Sequence, residues 1–263
     1  MARYFLDTGV IVGATFLHDG WYQEGKRVID SGNSFYVNEA VIFEYCNRPP
    51  DESSADCFEE TDVDWNTDKG KFGQKLASVR PAQTTLNLEL DNIPEHELTL
   101  DKLVDEYLLA THIYDEVDGQ LVVNENKIDE DLVKQYIRPT IRKVLAYFID
   151  GREITRSVAR EAIDRLFDEI LNGARKKREK IKDQVTVVSV PPERSKQYTE
   201  DFDYVDGYID TLILCNMKCL SEDNIVSKIV STDMSDMYSN KSEMDEITIL
   251  HVKDKVADPS LPP

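Results

Sequence analysis

The chain has 263 residues, 41% of them hydrophobic and 31% charged, so it can bury a core without a disulfide or metal staple. No apolar run approaches the roughly eighteen residues that a spanning helix needs, so no membrane partner is expected. With 51 acidic and 31 basic side chains the net charge is −20, which argues against non-specific adsorption to nucleic acid and requires a local basic patch or a cation for any anionic ligand.

The chain opens with MARYFLDTGVIVGATFLHDG, which lacks the pattern of a secretory or transit segment, so the expected compartment is the cytoplasm. An acidic surface also suits a salt-rich cytoplasm, where self-repulsion is screened. Residues 2–6 (ARYFL) read as a short buried strand ending at Asp7-Thr8. Helical stretches follow over 9–16 and 25–31, and Phe35-Tyr36-Val37 is a second strand. Asn38 is the expected N-cap of a helix over 39–47, which Pro49-Pro50 ends. Residues 51–68 carry eight acids and no Lys or Arg, as a solvated or disordered loop would; the DxDxDG spacing of a calcium loop is absent.

The alternating Leu86, Leu88 and Leu90 predict a half-buried strand over 84–90. A helix is predicted over 99–114, a turn at Asp118-Gly119 and a strand in the LVVN that follows. Two long helices come next. The first spans 129–149 with a kink or break at Pro139, and the second carries a stripe of Ile154, Val158, Ala162, Leu166, Ile170 and Ala174. The second ends in ARKKREKIK: Arg175, Lys176, Lys177, Arg178, Lys180 and Lys182 form either a phosphate-contacting surface or a solvated helix end that offsets the helix dipole.

VTVVSV (185–190) reads as a strand buried on both faces of a parallel sheet. A helix over 208–220, a strand over 229–231, a last strand over 247–252 and a disordered tail over 253–263 complete the pattern. Strands alternate with helices at both ends of the chain, which predicts an α/β fold with a parallel sheet. The middle breaks that alternation and reads as an insertion. Cys46, Cys57, Cys215 and Cys219 form no CxxC pair and read as reduced core residues. No HExxH, GxSxG, GxGxxG or P-loop motif occurs.

Ligands of a parallel sheet bind beyond the carboxyl ends of its strands. Asp7 and Asp233 end two strands, Glu44 lies in the helix after the second strand, and Asp210 lies early in the helix after VTVVSV. Asp206 precedes Asp210 by four positions and faces the same way if the helix extends back; Asp236 is a further candidate. Carboxylates gathered without a cation are unfavourable. Each like-charge pair at ~4 Å costs about 4 kcal/mol at an effective dielectric of ~20. Mg²⁺ or Mn²⁺ would reverse that sign through oxygen ligation.

At these residues the chain resembles the PIN-domain family of metal-dependent ribonucleases. YFLDTGVIVG is similar to the family's first strand and Asp-Thr/Ser motif, FYVNEAVIFEY to its second strand and acidic helix, GYIDTLILC to the helix of the third acid, and IVSTDMSDM to the final Ser/Thr-x-Asp motif. The resemblance covers about residues 1–48 and 184–252. It implies a three-layer α/β/α core with a central parallel sheet of about four to five strands. A mainly helical insertion over 49–150 and a long helix over 151–183 would join the two halves. It further implies that Asp7, Glu44, Asp210 and Asp233, with Asp206 and Asp236 as additional candidates, hold one or two Mg²⁺ or Mn²⁺ ions. Thr8 and Ser231 would act as supporting groups. The implied reaction is hydrolysis of RNA to 5′-phosphate and 3′-hydroxyl ends. The alternatives are a toxin-type protein controlled by an antitoxin peptide and a catalytically silent scaffold. A homodimer is a further implied state. The family's toxin-type members are roughly half this length, so the insertion is a departure.

Overall fold

The computed structural model describes residues 2–49, 53, 55, 56, 58, 62–124, 128–233, 237–244 and 246–254. Apolar Tyr4, Phe5 and Leu6 place strand β1 (Arg3–Leu6) in the interior, and helix α1 (Thr8–Thr15) starts immediately after Asp7. Helix α2 (Tyr22–Ile29) leads to β2 (Ser34–Val37). Asn38 then caps α3 (Glu39–Ile42), its side-chain oxygen accepting from the Val41 N–H at 3.0 Å. The predicted helix over 39–47 is split, because Phe43–Asn47 widen into a π-helical turn.

Next come α4 (Gly70–Asn92), α5 (Leu100–Ala110) and an antiparallel hairpin of β3 (Tyr114–Val117) and β4 (Gln120–Val123) around Asp118-Gly119. Helix α6 (Arg138–Ile149) follows a wide turn over Val133–Ile137. The break expected at Pro139 is not seen: the helical run from Glu130 continues through the π-helical turn Val133–Ile137 into α6, and Pro139 follows that widened turn directly, which accommodates its missing N–H. Helix α7 (Arg156–Gln184), β5 (Val185–Val187), α8 (Tyr208–Glu222), β6 (Lys228–Ser231) and β7 (Thr248–His251) complete the order.

The sheet is five-stranded and parallel, in the order β5-β2-β1-β6-β7. The chain moves outward from β1 through β2 to β5, then returns to pair β6 on the other side of β1. The strand order therefore reverses between β1 and β6, and such a reversal opens a crevice at the carboxyl ends. No helix among the described residues is long and apolar enough to cross a membrane.

Two sequence expectations are corrected. Residues 84–90 are not a strand; they belong to α4, where Leu76, Val79, Leu86 and Leu90 are buried and Leu88 is 64% exposed. Leu86 and Leu90 are four apart, so they fit a helical face as well as one side of a strand. VTVVSV is not a doubly buried strand. The strand covers only Val185–Val187, with one further bond from the Val188 N–H to the Val37 carbonyl; it pairs with β2 alone among the described residues and lies at the sheet's edge, with Thr186 and Val187 exposed.

The chain divides into two units, Met1–Thr15, Glu24–Gln74 and Lys177–Pro263, and Phe16–Gln23 with Lys75–Lys176. The first holds the whole parallel sheet. The second packs a core of its own from Leu86, Leu90, Tyr107, Ile141, Leu145 and Phe167, among others. The predicted stripe on α7 is buried at Ala162, Leu166, Ile170 and Ala174. The tail from 255, Cys57, and part of the acidic run lie outside the described residues.

Candidate functional site

The two strands that flank the reversal point are tied at their ends. The Asp7 N–H donates to the Val230 carbonyl at 3.0 Å, continuing the β1–β6 ladder. The Ser231 hydroxyl donates to Asp7 Oδ2 at 2.8 Å and accepts from the Asp233 N–H at 2.9 Å. The Thr8 N–H donates to Asp7 Oδ1 at 2.6 Å, so the first turn of α1 holds the same carboxylate from the other side. Asp7 is buried, and burial pushes its carboxyl above the ordinary aspartate range; Glu44 adds to that and Lys71 opposes it.

Glu44 comes from the widened turn after α3, and a network around that turn sets its place. Tyr45 Oη and Thr15 Oγ1 are 2.7 Å apart, and the Tyr45 ring packs edge-on against Trp65 and Phe72. The Asn47 amide donates to the Ile42 and Asp64 carbonyls and accepts from the Asp64 N–H. The Lys69 N–H reaches the Cys46 carbonyl at 3.0 Å and the Gly70 N–H reaches the Arg48 carbonyl at 2.9 Å. Gly70 has φ +53°, and a Cβ there would lie 2.5 Å from the Glu44 carbonyl oxygen, so only glycine allows this approach. The next residue, Lys71, thereby puts its ammonium 2.9 Å from Glu44 Oε1. Glu44 is 5% exposed, and its other oxygen, Oε2, is buried with no hydrogen-bond partner among the described residues.

Asp210 enters from the first turn of α8. Burial first, then the charges of Asp7 and Glu44, push its carboxyl up to about 7, while Lys71 lowers it and Asp233 adds to the rise. Burial works against the Lys71 ammonium, but the fields of Glu44, Asp7 and Asp210 hold it above the ordinary lysine range. Asp7, Glu44 and Asp233 are therefore all within electrostatic reach of Asp210, and Lys71 lies within reach of Asp7, Glu44 and Asp210. Sequence reasoning missed Lys71. Its only signal is the pair of glycines, Gly70 and Gly73, on either side of it.

The other predicted residues fare differently. Asp206 is exposed and precedes α8, which starts at Tyr208, so the four-residue spacing to Asp210 does not put both on one helical face. Asp236 lies outside the described residues. Thr8 is fully buried, and its hydroxyl has no hydrogen-bond partner among them. Arg178 is turned inward: it is 5% exposed, donates to the Thr67 carbonyl and to Asp68, and lies 4.1 Å over the Phe72 ring. It braces the segment that carries Lys71 and offers no surface contact to phosphate. Lys180 pairs with Asp30 at 2.8 Å and Lys182 approaches Glu179 at 3.8 Å. Arg175 and Lys177 also have partners, and Lys176 is exposed.

Four carboxylates, one of them carrying the unpaired buried Glu44 Oε2, and the unpaired buried Thr8 hydroxyl are donor chemistry that suits Mg²⁺ or Mn²⁺. Among the described residues no three acidic, histidine or cysteine side chains form a ready metal cage. A cavity of about 1160 Å³ opens beside α8, lined in part by Tyr208, Thr211 and Cys215.

The fold and the site together define a class: a parallel α/β protein with a four-acid, one-lysine centre at the reversal point of its sheet. No family model, curated protein or solved structure matches the chain.

Proposed function

We propose that this protein is a metal-dependent endoribonuclease of the PIN type, which hydrolyses RNA phosphodiester bonds at the four-acid centre. What carries this is the convergence of Asp7, Glu44, Asp210 and Asp233, from four separate elements, where a parallel sheet binds its ligands. Carboxylates at such density repel one another beyond what Lys71 offsets, and a bound divalent cation would remove that cost.

A bound Mg²⁺ or Mn²⁺ would supply a water of lowered pKa and neutralise charge developing on the phosphate. The four carboxylates would hold the ion. Ser231 orients Asp7 and fixes the backbone of Asp233, and Thr8 contributes an unpaired hydroxyl beside Asp7. The cavity beside α8 is the proposed seat of a neighbouring nucleotide, with Tyr208, 39% exposed, as a stacking surface. The basic end of α7 runs into the amino end of β5, and Lys180 pairs with Asp30 just before β2, so the lysines there lie toward the sheet's amino edge, away from the acid centre, and are assigned no phosphate contact.

The test is incubation with single-stranded and hairpin RNA in Mn²⁺ or Mg²⁺, from low to molar salt. The expected result is metal-dependent cleavage leaving 5′-phosphate ends. Cleavage that persists in chelator would oppose the reading. One observation favours a second reading, the silent scaffold: Lys71 already neutralises Glu44, as in a purely structural ion cluster. Failure to bind Mn²⁺ with the fold intact would support it.

A further inference from the structure

We propose that Lys71 is the resident counter-cation of the acid centre and competes with a divalent metal for it. The inference rests on the reading of these acids as a metal centre.

The Lys71 ammonium lies 2.9 Å from Glu44 Oε1, and its field reaches Asp7 and Asp210 as well. It therefore interacts with three of the four carboxylates that a metal would need. Its location is built into the backbone. Gly70 makes the tight approach to the Glu44 carbonyl, two main-chain hydrogen bonds pin Lys69 and Gly70 to the turn, and Phe72 is held between Tyr45 and Arg178. The side chain itself is 45% exposed, whereas that of Glu44 is 7% exposed. A flexible lysine stem can swing outward, whereas the buried glutamate is fixed.

The electrostatics then make the two cations exclusive. A dication drawn to the same carboxylates repels an ammonium beside it, and at ~4 Å this repulsion exceeds thermal energy even at a dielectric of ~20. Metal entry therefore entails release of Glu44 by Lys71. Glu44 Oε2, buried and unpaired among the described residues, is the oxygen left over while Oε1 serves the lysine.

The experiment is Mn²⁺ binding by titration calorimetry on the wild type, Lys71→Met and Lys71→Arg, with no RNA present. Lys71→Met keeps much of the apolar stem and removes the charge; Lys71→Arg keeps the charge. The expected result is Mn²⁺ bound about tenfold tighter or more by Lys71→Met, and with near wild-type affinity by Lys71→Arg. The metal-free Lys71→Met should also melt below the wild type. Should it be too unstable to purify metal-free, the rise of its melting temperature with Mn²⁺ concentration replaces calorimetry, and a rise no steeper than the wild type's overturns the proposal. Wild-type binding with equal or weaker affinity in Lys71→Met overturns the competition and leaves the metal centre standing. No Mn²⁺ binding by any of the three overturns both.

Discussion

Ser231 and Asp7 are 224 positions apart in sequence and joined by a 2.8 Å hydrogen bond at the reversal point of the sheet. The same hydroxyl accepts from the Asp233 N–H. One side chain thus sets two of the four acids. Ser231→Ala leaves a buried carboxylate oxygen and an N–H without this partner. The expected cost is about 1–3 kcal/mol, measured by urea unfolding. An unchanged midpoint would mean that water replaces the hydroxyl.

The acid centre should make stability depend on pH and metal together. Asp210 titrates near 3.8 when unperturbed and is pushed up to about 7 in the fold, chiefly by burial. The folded protein therefore holds an extra proton between those values. Stability from this group is full below the unfolded value and is lost as pH rises through about 7. Asp7 is shifted in the same direction and adds to the trend. Mg²⁺ or Mn²⁺ should offset the loss, so the metal-induced rise in melting temperature should be larger at pH 8 than at pH 5. Equal increments at both pH values would contradict this.

Asp210→Asn removes one charge from the crowd. Without metal at pH 8 the variant should melt at or above the wild-type temperature, because repulsion from Asp7 and Glu44 is relieved. With Mn²⁺ it should lose most of the increment. If it responds to Mn²⁺ as the wild type does, Asp210 is not a ligand.

Gly70→Ala tests how Lys71 is delivered. The added methyl would sit 2.5 Å from the Glu44 carbonyl oxygen at a φ of +53°. The expected cost is about 2 kcal/mol or more in chemical unfolding. Gly32→Ala is the control. Its φ is +74° with nothing within 4 Å of the added atom, so only backbone strain of about 1–2 kcal/mol applies. Equal effects at the two sites would contradict a contact role for Gly70.

Much of the sheet was legible in the sequence. Phe5-Leu6 and Ile229-Val230 are short apolar runs stopped by polar residues, and Asn38 is a readable cap. The acids Asp7 and Asp233 follow directly from strand ends, so their common rim could be predicted from the parallel order. Residues 84–90 could not be read correctly, since leucines at even spacing satisfy both a strand face and, at 86 and 90, a helix face. The β-branched run at 185–187 signals a strand but not its position, and it fell at the edge. Arg178 shares its pattern with the solvated basic residues around it. Only the packing of Phe72 and Asp68 turns it inward. Lys71 was invisible because its place depends on the backbone of Gly70, whose contacts no periodicity encodes.

The most direct test is Mn²⁺-dependent cleavage of single-stranded RNA by the wild type beside Asp7→Asn and Asp210→Asn, each verified as folded. Cleavage by the wild type, reduced about a hundredfold or more in both variants, is the predicted result. Cleavage of equal rate in all three, or none from a wild type shown to bind Mn²⁺, would contradict the assignment of the four acids to RNA hydrolysis.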